Sequence, residues 1–314
     1  MELTGKNVLV VGLARSGMAA IKVLHRLGAV ITLSESKKKE DIKELPELEK
    51  LGVTVVDQSM QVFEGNYALV VKNPGVPFRS PMMQRLAERN IPVITEIELA
   101  YNVAKPQHYV AITGTNGKTT TSTLVYELLA KTFPGKTHLC GNIGIPLCET
   151  VLENGLMEEG GHYIALEISN FQLVNIDRFR PEAAVILNLT PDHVDFMGSL
   201  DAYYKSKTEV YRNMSGSDLF LLNADDPVLA EYTAKYPVNC TVRTFSTDRS
   251  DTDSCVSGGY VCVNSEKVLP LDLIKIIGKH NLQNIIVAVS IAKAFGVTNE
   301  DICSVIADFR GVEH

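Results

Sequence analysis

The run Tyr109-Val110-Ala111-Ile112-Thr113-Gly114-Thr115-Asn116-Gly117-Lys118-Thr119-Thr120 constrains this chain more than any other stretch. A β-like apolar segment feeds a glycine-rich turn, and Lys-Thr-Thr then opens a helical pattern. A strand, loop and helix in that order belong to a parallel α/β sheet. Glycines let backbone N–H groups converge without side-chain obstruction, and the helix N-terminus that follows favours an anion. A nucleoside triphosphate suits such a turn. Lys118 would reach its β- and γ-phosphates, and Thr119 would place a hydroxyl on Mg2+. The spacing departs from the full Walker pattern, whose first glycine would fall on Ile112. The competing reading is a βα turn that binds nothing, and ATP or GTP is the expectation set against it.

The remainder fits the same class. With 314 residues, 45% hydrophobic and 21% charged, the chain is long enough for two or three domains with separate cores. A formal net charge of -7 without a dense Lys/Arg run argues against nucleic-acid and membrane-surface partners. The six cysteines form no CxxC pair and no metal-ligand spacing, so free thiols in a reducing, cytoplasmic compartment are expected. No export signal and no apolar stretch of membrane-spanning length is visible. A monomer is expected.

From Lys6 to Glu96 short β-branched runs alternate with amphipathic helical stretches. Strands are predicted at Asn7-Val11, Val30-Leu33, Val53-Val56, Ala68-Val71 and Pro92-Ile94, and helices at Ser16-Leu27 and Pro81-Arg89. The pattern is a Rossmann-like, doubly wound parallel sheet over residues 1–104. Asn102-Val103-Ala104-Lys105-Pro106-Gln107 breaks it, and residues 105–314 read as a P-loop-type, three-layer α/β domain. Strands are predicted there at Tyr109-Ile112, Ile164-Leu166, Ala184-Leu187 and Leu219-Leu222, with a small antiparallel addition over Ser250-Leu269. The turn Val11-Gly12-Leu13-Ala14-Arg15-Ser16-Gly17 looks like the dinucleotide fingerprint, except that Ala14 stands where the second glycine belongs. A dinucleotide, a UDP-sugar and a purely structural turn all remain open. Glu35, after the second strand, would hold a ribose in the first case and is a loop charge in the last.

Several further segments, together with the phosphate loop, resemble the Mur ligase family. They are Asn73-Pro74-Gly75-Val76-Pro77, Gly141-Asn142-Ile143-Gly144, Leu166-Glu167-Ile168-Ser169-Asn170-Phe171-Gln172-Leu173, Asn188-Leu189-Thr190-Pro191-Asp192-His193, Asn223-Ala224-Asp225-Asp226 and Gly278-Lys279-His280-Asn281. They follow the family's order and cover nearly the whole chain. The Ser-Asn-Phe-Gln-Leu run and the Gly-Asn-Ile-Gly turn look like the members that add D-glutamate. The resemblance implies an ATP-dependent ligase of peptidoglycan precursor synthesis. ATP would phosphorylate the carboxylate of UDP-N-acetylmuramoyl-L-alanine, and the amine of D-glutamate would attack the acyl phosphate.

The resemblance also implies roles. Lys118 would meet the transferring phosphate, Thr119 and Glu167 would hold a first Mg2+, and His193 a second. Lys207 matches a lysine that the family carries as a carbamate, whereas the sequence alone makes it a charge on a solvated helix face. Gly114, Thr115, Asn116, Gly117, Thr120 and Asn281 would complete the ATP site. Arg15 and Ser16 match the diphosphate turn, and Glu35, Ser36 and Lys37 the uridine-side loop. Lys37 stands where an arginine is common, which exchanges a bidentate contact for a point charge. Gly75, Asn142, Ser169 and Gln172 would continue toward the muramoyl end. The family's third, C-terminal domain is expected to be absent, and little or no ligation by this chain is expected to follow.

Overall fold

The computed structural model describes residues 1–77, 79–191 and 197–312. The chain divides into two compact units: Met1–Lys105 with Ile145–Gly160 and Phe171–Phe179, and Pro106–Gly144 with Gly161–Asn170 and Arg180–His314. The first break lies at Lys105/Pro106. The stretches 145–160 and 171–179 also belong with the first unit, which a single cut at 104/105 does not include.

Among the described residues, the first unit's sheet has five parallel strands in the order β3-β2-β1-β4-β5. They are β1 Asn7–Val11, β2 Val30–Glu35, β3 Thr54–Asp57, β4 Leu69–Lys72 and β5 Val93–Thr95. Leu9, Val10 and Val11 are fully buried, as are Leu33 and Val70. That explains why these strands read as continuous apolar runs: a parallel sheet is covered on both faces. Each such side chain contributes about 1.5–3 kcal/mol of burial. The helix Ala14–Arg26 turns Ala19, Ala20, Ile21, Val23 and Leu24 inward. It sits tightly on the β1 turn because position 17 is glycine; a Cβ there would meet the Gly12 carbonyl oxygen at 2.3 Å. The chain order reverses between β1 and β4, which opens a crevice at their C-terminal ends.

Two buried glutamates of the helix Glu96–Val103 fasten the later stretches to this unit. Glu98 accepts hydrogen bonds from the backbone N–H groups of Asp177 (3.0 Å), Arg178 (2.9 Å) and Phe179 (3.0 Å), and from Asn102 Nδ2 (2.6 Å). Glu96 accepts from the backbone N–H of Cys148, in the first turn of the helix Leu147–Glu153. Burial pushes the Glu96 carboxyl up to about 7, against the lowering effect of that N–H. A raised carboxyl stabilises the fold fully below its unfolded value near 4.5, and the contribution is lost as pH rises through about 7. The wild-type protein should therefore lose on the order of 3 kcal/mol between pH ~5 and ~8 relative to Glu96→Gln. Paired urea titrations at the two pH values test this, and parallel curves for the two proteins would refute it.

The second unit's sheet has the order β14-β13-β12-β11-β10-β9-β6-β8-β7 among the described residues. Its parallel part comprises β6 His108–Thr113, β7 Thr137–Gly141, β8 Tyr163–Glu167, β9 Ala183–Ile186, β10 Gly216–Asn223 and β11 Cys240–Phe245. The expected antiparallel edge is β12 Ser254–Ser257, β13 Tyr260–Val263 and β14 Glu266–Pro270. The core packs the helices Lys118–Thr132 and Lys279–Ala294 onto the sheet through Leu124, Val125, Leu128, Ile285, Val289 and Ile291. The two α/β units match the predicted fold class. Central β6 carries the phosphate loop at its C-terminal end, beside the ends of β8 and β9.

Candidate functional site

Gly114–Gly117 leaves β6 and enters the helix Lys118–Thr132 at once. The first intrahelical bond there runs from the Thr121 N–H to the Gly117 carbonyl. The earlier N–H groups of a helix have no acceptor within it, which makes this end a receptor for anions. The loop is braced from the β9 side: Thr115 N–H donates to the Asn188 carbonyl (3.1 Å), and Asn116 N–H to Asn188 Oδ1 (2.9 Å). Lys118 Nζ folds over the loop onto the carbonyls of Gly114 (3.1 Å) and Thr115 (2.8 Å). A cavity of about 770 Å3 opens in front, lined by residues 115–120 together with Asn188–Thr190, Asn223, Asp225–Val228, His280, Asn281, Gln283 and Asn284. Burial disfavours the Asp225 carboxylate, but bonds from Ser246 and Thr247, with Lys279 nearby, outweigh it and hold the group below its usual range. Asp226 is committed to structure, accepting from the N–H groups of Leu189 (2.8 Å) and Leu229 (3.0 Å).

Glu167 ends β8 beside the loop. Its carboxylate is 2% exposed and accepts from Thr119 Oγ1 (2.9 Å) and Asn142 Nδ2 (2.8 Å), both neutral donors. A buried carboxylate without a cationic partner is costly unless a metal completes it. Among the described residues no cluster of three or more Asp, Glu, His or Cys side chains surrounds it. This donor set fits Mg2+, which binds through one or two protein oxygens and fills its other positions with phosphate and water. Thr119 and Glu167 would hold that ion, and its charge would offset the charge on a phosphoryl group. The adjoining turn depends on Gly141, with φ 111°, where a Cβ would meet the Glu167 carbonyl oxygen at 2.2 Å. Any side chain at Gly141 displaces the backbone that aims Glu167.

The structure corrects one expectation outright. Lys207 is not on a solvated helix face; it is 2% exposed, and its Nζ lies 3.0 Å from the Gly114 carbonyl and 4.7 Å from the centre of the Tyr203 ring. Tyr203 in turn meets Thr115 Oγ1 at 3.3 Å. The side chains at 203 and 207 share one face of the helix Leu200–Thr208, as an i,i+4 pair must, while Lys205 points to solvent. Two lysines thus converge on the carbonyl of Gly114. His193 lies outside the described residues.

In the first unit, Gly12, Leu13, Ala14, Glu35, Lys37, Ile42, Glu44 and Asn73 line a cavity of about 260 Å3 in the β1/β4 crevice. Ala14 adopts φ 29°, the left-handed region a glycine would occupy in the dinucleotide pattern. Glu35 accepts from the N–H groups of Leu13 (2.7 Å), Ser36 (2.8 Å) and Lys37 (3.2 Å), and from Ser36 Oγ (3.0 Å). Burial raises its carboxyl, but these bonds prevail and hold it below the usual range. Glu35 thus ties the β1 turn to the β2 loop, and both its oxygens are engaged within the protein. Ser16 Oγ accepts from Asn73 Nδ2 (2.9 Å), whose Oδ1 accepts from Gly75 N–H (2.9 Å). Arg15 is exposed and lines a neighbouring cavity with Lys22, Glu44 and Glu149.

Gly114–Thr120, Asn142, Glu167, Lys207 and Asn281 therefore all lie at the strand ends of the second unit, where Ser169 is also buried. Arg15, Ser16, Glu35, Ser36, Lys37, Gly75 and Gln172 belong to the first. Three residues beside the loop were not assigned a role from sequence. Asn188 braces the loop, Tyr203 shares a face with Lys207, and Asn284 stands one helical turn beyond Asn281, so close to Gly117 that a Cβ there would meet its Oδ1 at 2.5 Å. The last two were recoverable from helical spacing alone.

Comparison with known proteins places this fold. The family pattern described as the Mur ligase middle domain matches residues 112–292, and that of the Mur ligase MurD-like N-terminal domain matches residues 6–95. The chain belongs to the Mur ligase family. A UDP-N-acetylmuramoylalanine--D-glutamate ligase from a Geobacillus strain is 38% identical over 98% of this chain and 67% of its own length. The ligase of the same name from Enterococcus hirae is 39% identical over 98% of this chain and 66% of its own. This chain thus spans about two thirds of the length of those relatives. Among solved structures, a UDP-N-acetylmuramate:L-alanyl-gamma-D-glutamyl-meso-diaminopimelate ligase from Neisseria meningitides superposes with TM-score 0.65, at 17% identity, over 99% of this chain and 100% of that one. A UDP-N-acetylmuramate-alanine ligase from Thermotoga maritima does so with TM-score 0.54, at 21% identity, over 98% of this chain and 69% of that one. At such identities these two carry the fold alone. Among the described residues no helix is long and apolar enough to cross a membrane.

Proposed function

We propose that this chain carries the ATP and UDP-substrate sites of a cytoplasmic ligase that joins D-glutamate to UDP-N-acetylmuramoyl-L-alanine through an acyl phosphate. The observation that carries the reading is the pairing of Thr119 with Glu167 at the mouth of the phosphate loop. A buried carboxylate and a hydroxyl at that point are suited to a magnesium-bound triphosphate. Lys118 would then leave the carbonyls of Gly114 and Thr115 for the phosphates, and the helix N-terminus would share their charge. The cavity beyond the loop would take ribose and base against Asn281 and Asn284. In the first unit, the crevice turn Gly12–Gly17 would take the diphosphate of the UDP-sugar, with Ser36 and Lys37 on the uridine side. D-glutamate is favoured over other amino acids by relatives of 36–39% identity that carry that activity in their names.

Titration calorimetry tests the nucleotide half directly. Wild-type protein should take up one equivalent of magnesium-ATP, and Lys118→Ala should weaken the uptake at least about tenfold. No heat from well-folded wild-type protein would end the proposal. D-glutamate, L-alanine, a diamino acid and folate offered in parallel to protein extended through the family's third domain, with phosphate release as readout, would separate the substrate readings.

A further inference from the structure

Lys72 closes β4 beside the crevice of the first unit, in register with Val11 on β1 and Thr95 on β5. It is 2% exposed, and its Nζ donates to the carbonyl oxygens of Asn73 (3.2 Å) and Val76 (2.9 Å). Those carbonyls are the hydrogen-bond partners of the ammonium among the described residues, and burial alone lowers it to about 8. A buried charge is ordinarily matched by an opposite one, because leaving it unmatched is costly. An apolar side chain would fill a core position without that cost. Keeping a cation there therefore calls for an anion that arrives from outside.

The turn that Lys72 holds leads to such an anion's place. Asn73, whose carbonyl receives the ammonium, donates through Nδ2 to Ser16 at the start of the helix Ala14–Arg26. Asn73 also lines the crevice cavity with Gly12, Glu35 and Lys37. Arg15 and Lys37 are exposed, so solvent and salt screen them, whereas a buried charge is screened far less.

We propose that Lys72 is a positioning residue of the diphosphate site, fixing Asn73 against Ser16 and supplying buried positive potential to a nucleoside diphosphate on the Gly12–Gly17 turn. This rests on the UDP-substrate reading given above. The ionisable groups lining the crevice are Glu35, Lys37 and Glu44, Arg15 lies in the neighbouring cavity, and Glu96 follows Thr95 on the β5 side. Glu35 is held below its usual range and stays ionised near neutrality. Glu96 titrates near 7, so pH dependence is best read above that value and in Glu96→Gln protein.

The probe is UDP-N-acetylmuramoyl-L-alanine, whose diphosphate is a diester that does not titrate in this range. Calorimetry should show Lys72→Met binding it about tenfold more weakly than wild type, with magnesium-ATP uptake unchanged. Between pH ~7.5 and ~9, Glu96→Gln protein should lose affinity several-fold as Lys72 deprotonates, while the double variant with Lys72→Met stays flat. A brace without electrostatic work would shift Tm and leave that profile untouched. Binding by Lys72→Met within twofold of wild type would overturn the inference. If that variant does not fold, the Glu96→Gln profile decides alone, and a flat one overturns it. Failure of wild-type protein to bind the probe would overturn the substrate reading itself, and this inference with it.

Discussion

Glu98→Ala should cost the first unit roughly 2–4 kcal/mol, because it removes at once the acceptor of three consecutive backbone N–H groups, two part-buried and that of Phe179 buried. The carboxylate sits fully buried on the helix Glu96–Val103 and takes the amides of Asp177, Arg178 and Phe179, a cradle that no neutral side chain reproduces. Phe179, packed edge-on against Tyr101 with ring centres 5.4 Å apart, depends on that anchor for its place. Glu98→Gln keeps the volume but turns one acceptor oxygen into a donor facing N–H groups, so a loss of about 1–3 kcal/mol is expected. Urea unfolding of the three proteins measures the order. Amide hydrogen exchange at 177–179 should accelerate in Glu98→Ala before exchange at β1 does. Midpoints equal to wild type would show that the stretch is held by something other than Glu98.

Most of the sheet architecture was legible because parallel strands covered on both faces leave apolar runs, as Asn7–Val11 and Ala183–Ile186 do. β7, Thr137–Gly141, escaped notice because Thr-His-Leu-Cys-Gly has neither a β-branched run nor alternation. β11, Cys240–Phe245, escaped for a related reason: its outer positions carry Thr and Arg. The membership of 145–160 and 171–179 in the first unit was out of reach. It rests on Glu96 and Glu98, and from sequence both look like first-turn acids placed to suit a helix dipole. The site divides in the same manner. Gly114–Thr119 is local and was read from spacing. The depth of Lys207 and the saturation of Glu35 are tertiary facts, set by a carbonyl 93 residues away in one case and a backbone N–H 22 residues away in the other.

Glu167→Gln should abolish the magnesium dependence of nucleotide binding, with little change in fold. The amide is isosteric, and one of its two hydrogen bonds to Thr119 and Asn142 can be kept, so the stability cost should stay near 1–2 kcal/mol. What disappears is the negative charge, and a hard divalent cation holds a neutral amide oxygen far more weakly than a carboxylate. Binding energy measured without metal should therefore be similar in the two proteins, while the increment on adding magnesium vanishes only in the variant. Glu182→Gln is the matched control: Glu182 is half-exposed, pairs with His108 at 2.7 Å, and should leave the magnesium increment intact. Gly141→Ala offers a second approach to the same carboxylate without touching it. A Cβ 2.2 Å from the Glu167 carbonyl oxygen must push that backbone aside, so the magnesium increment should fall there too, although every titratable group remains. Loss of the increment in both variants, with none in Glu182→Gln, ties it to the position of one buried carboxylate. A full increment in Glu167→Gln would place the metal elsewhere and remove the chief support for nucleotide chemistry at this loop.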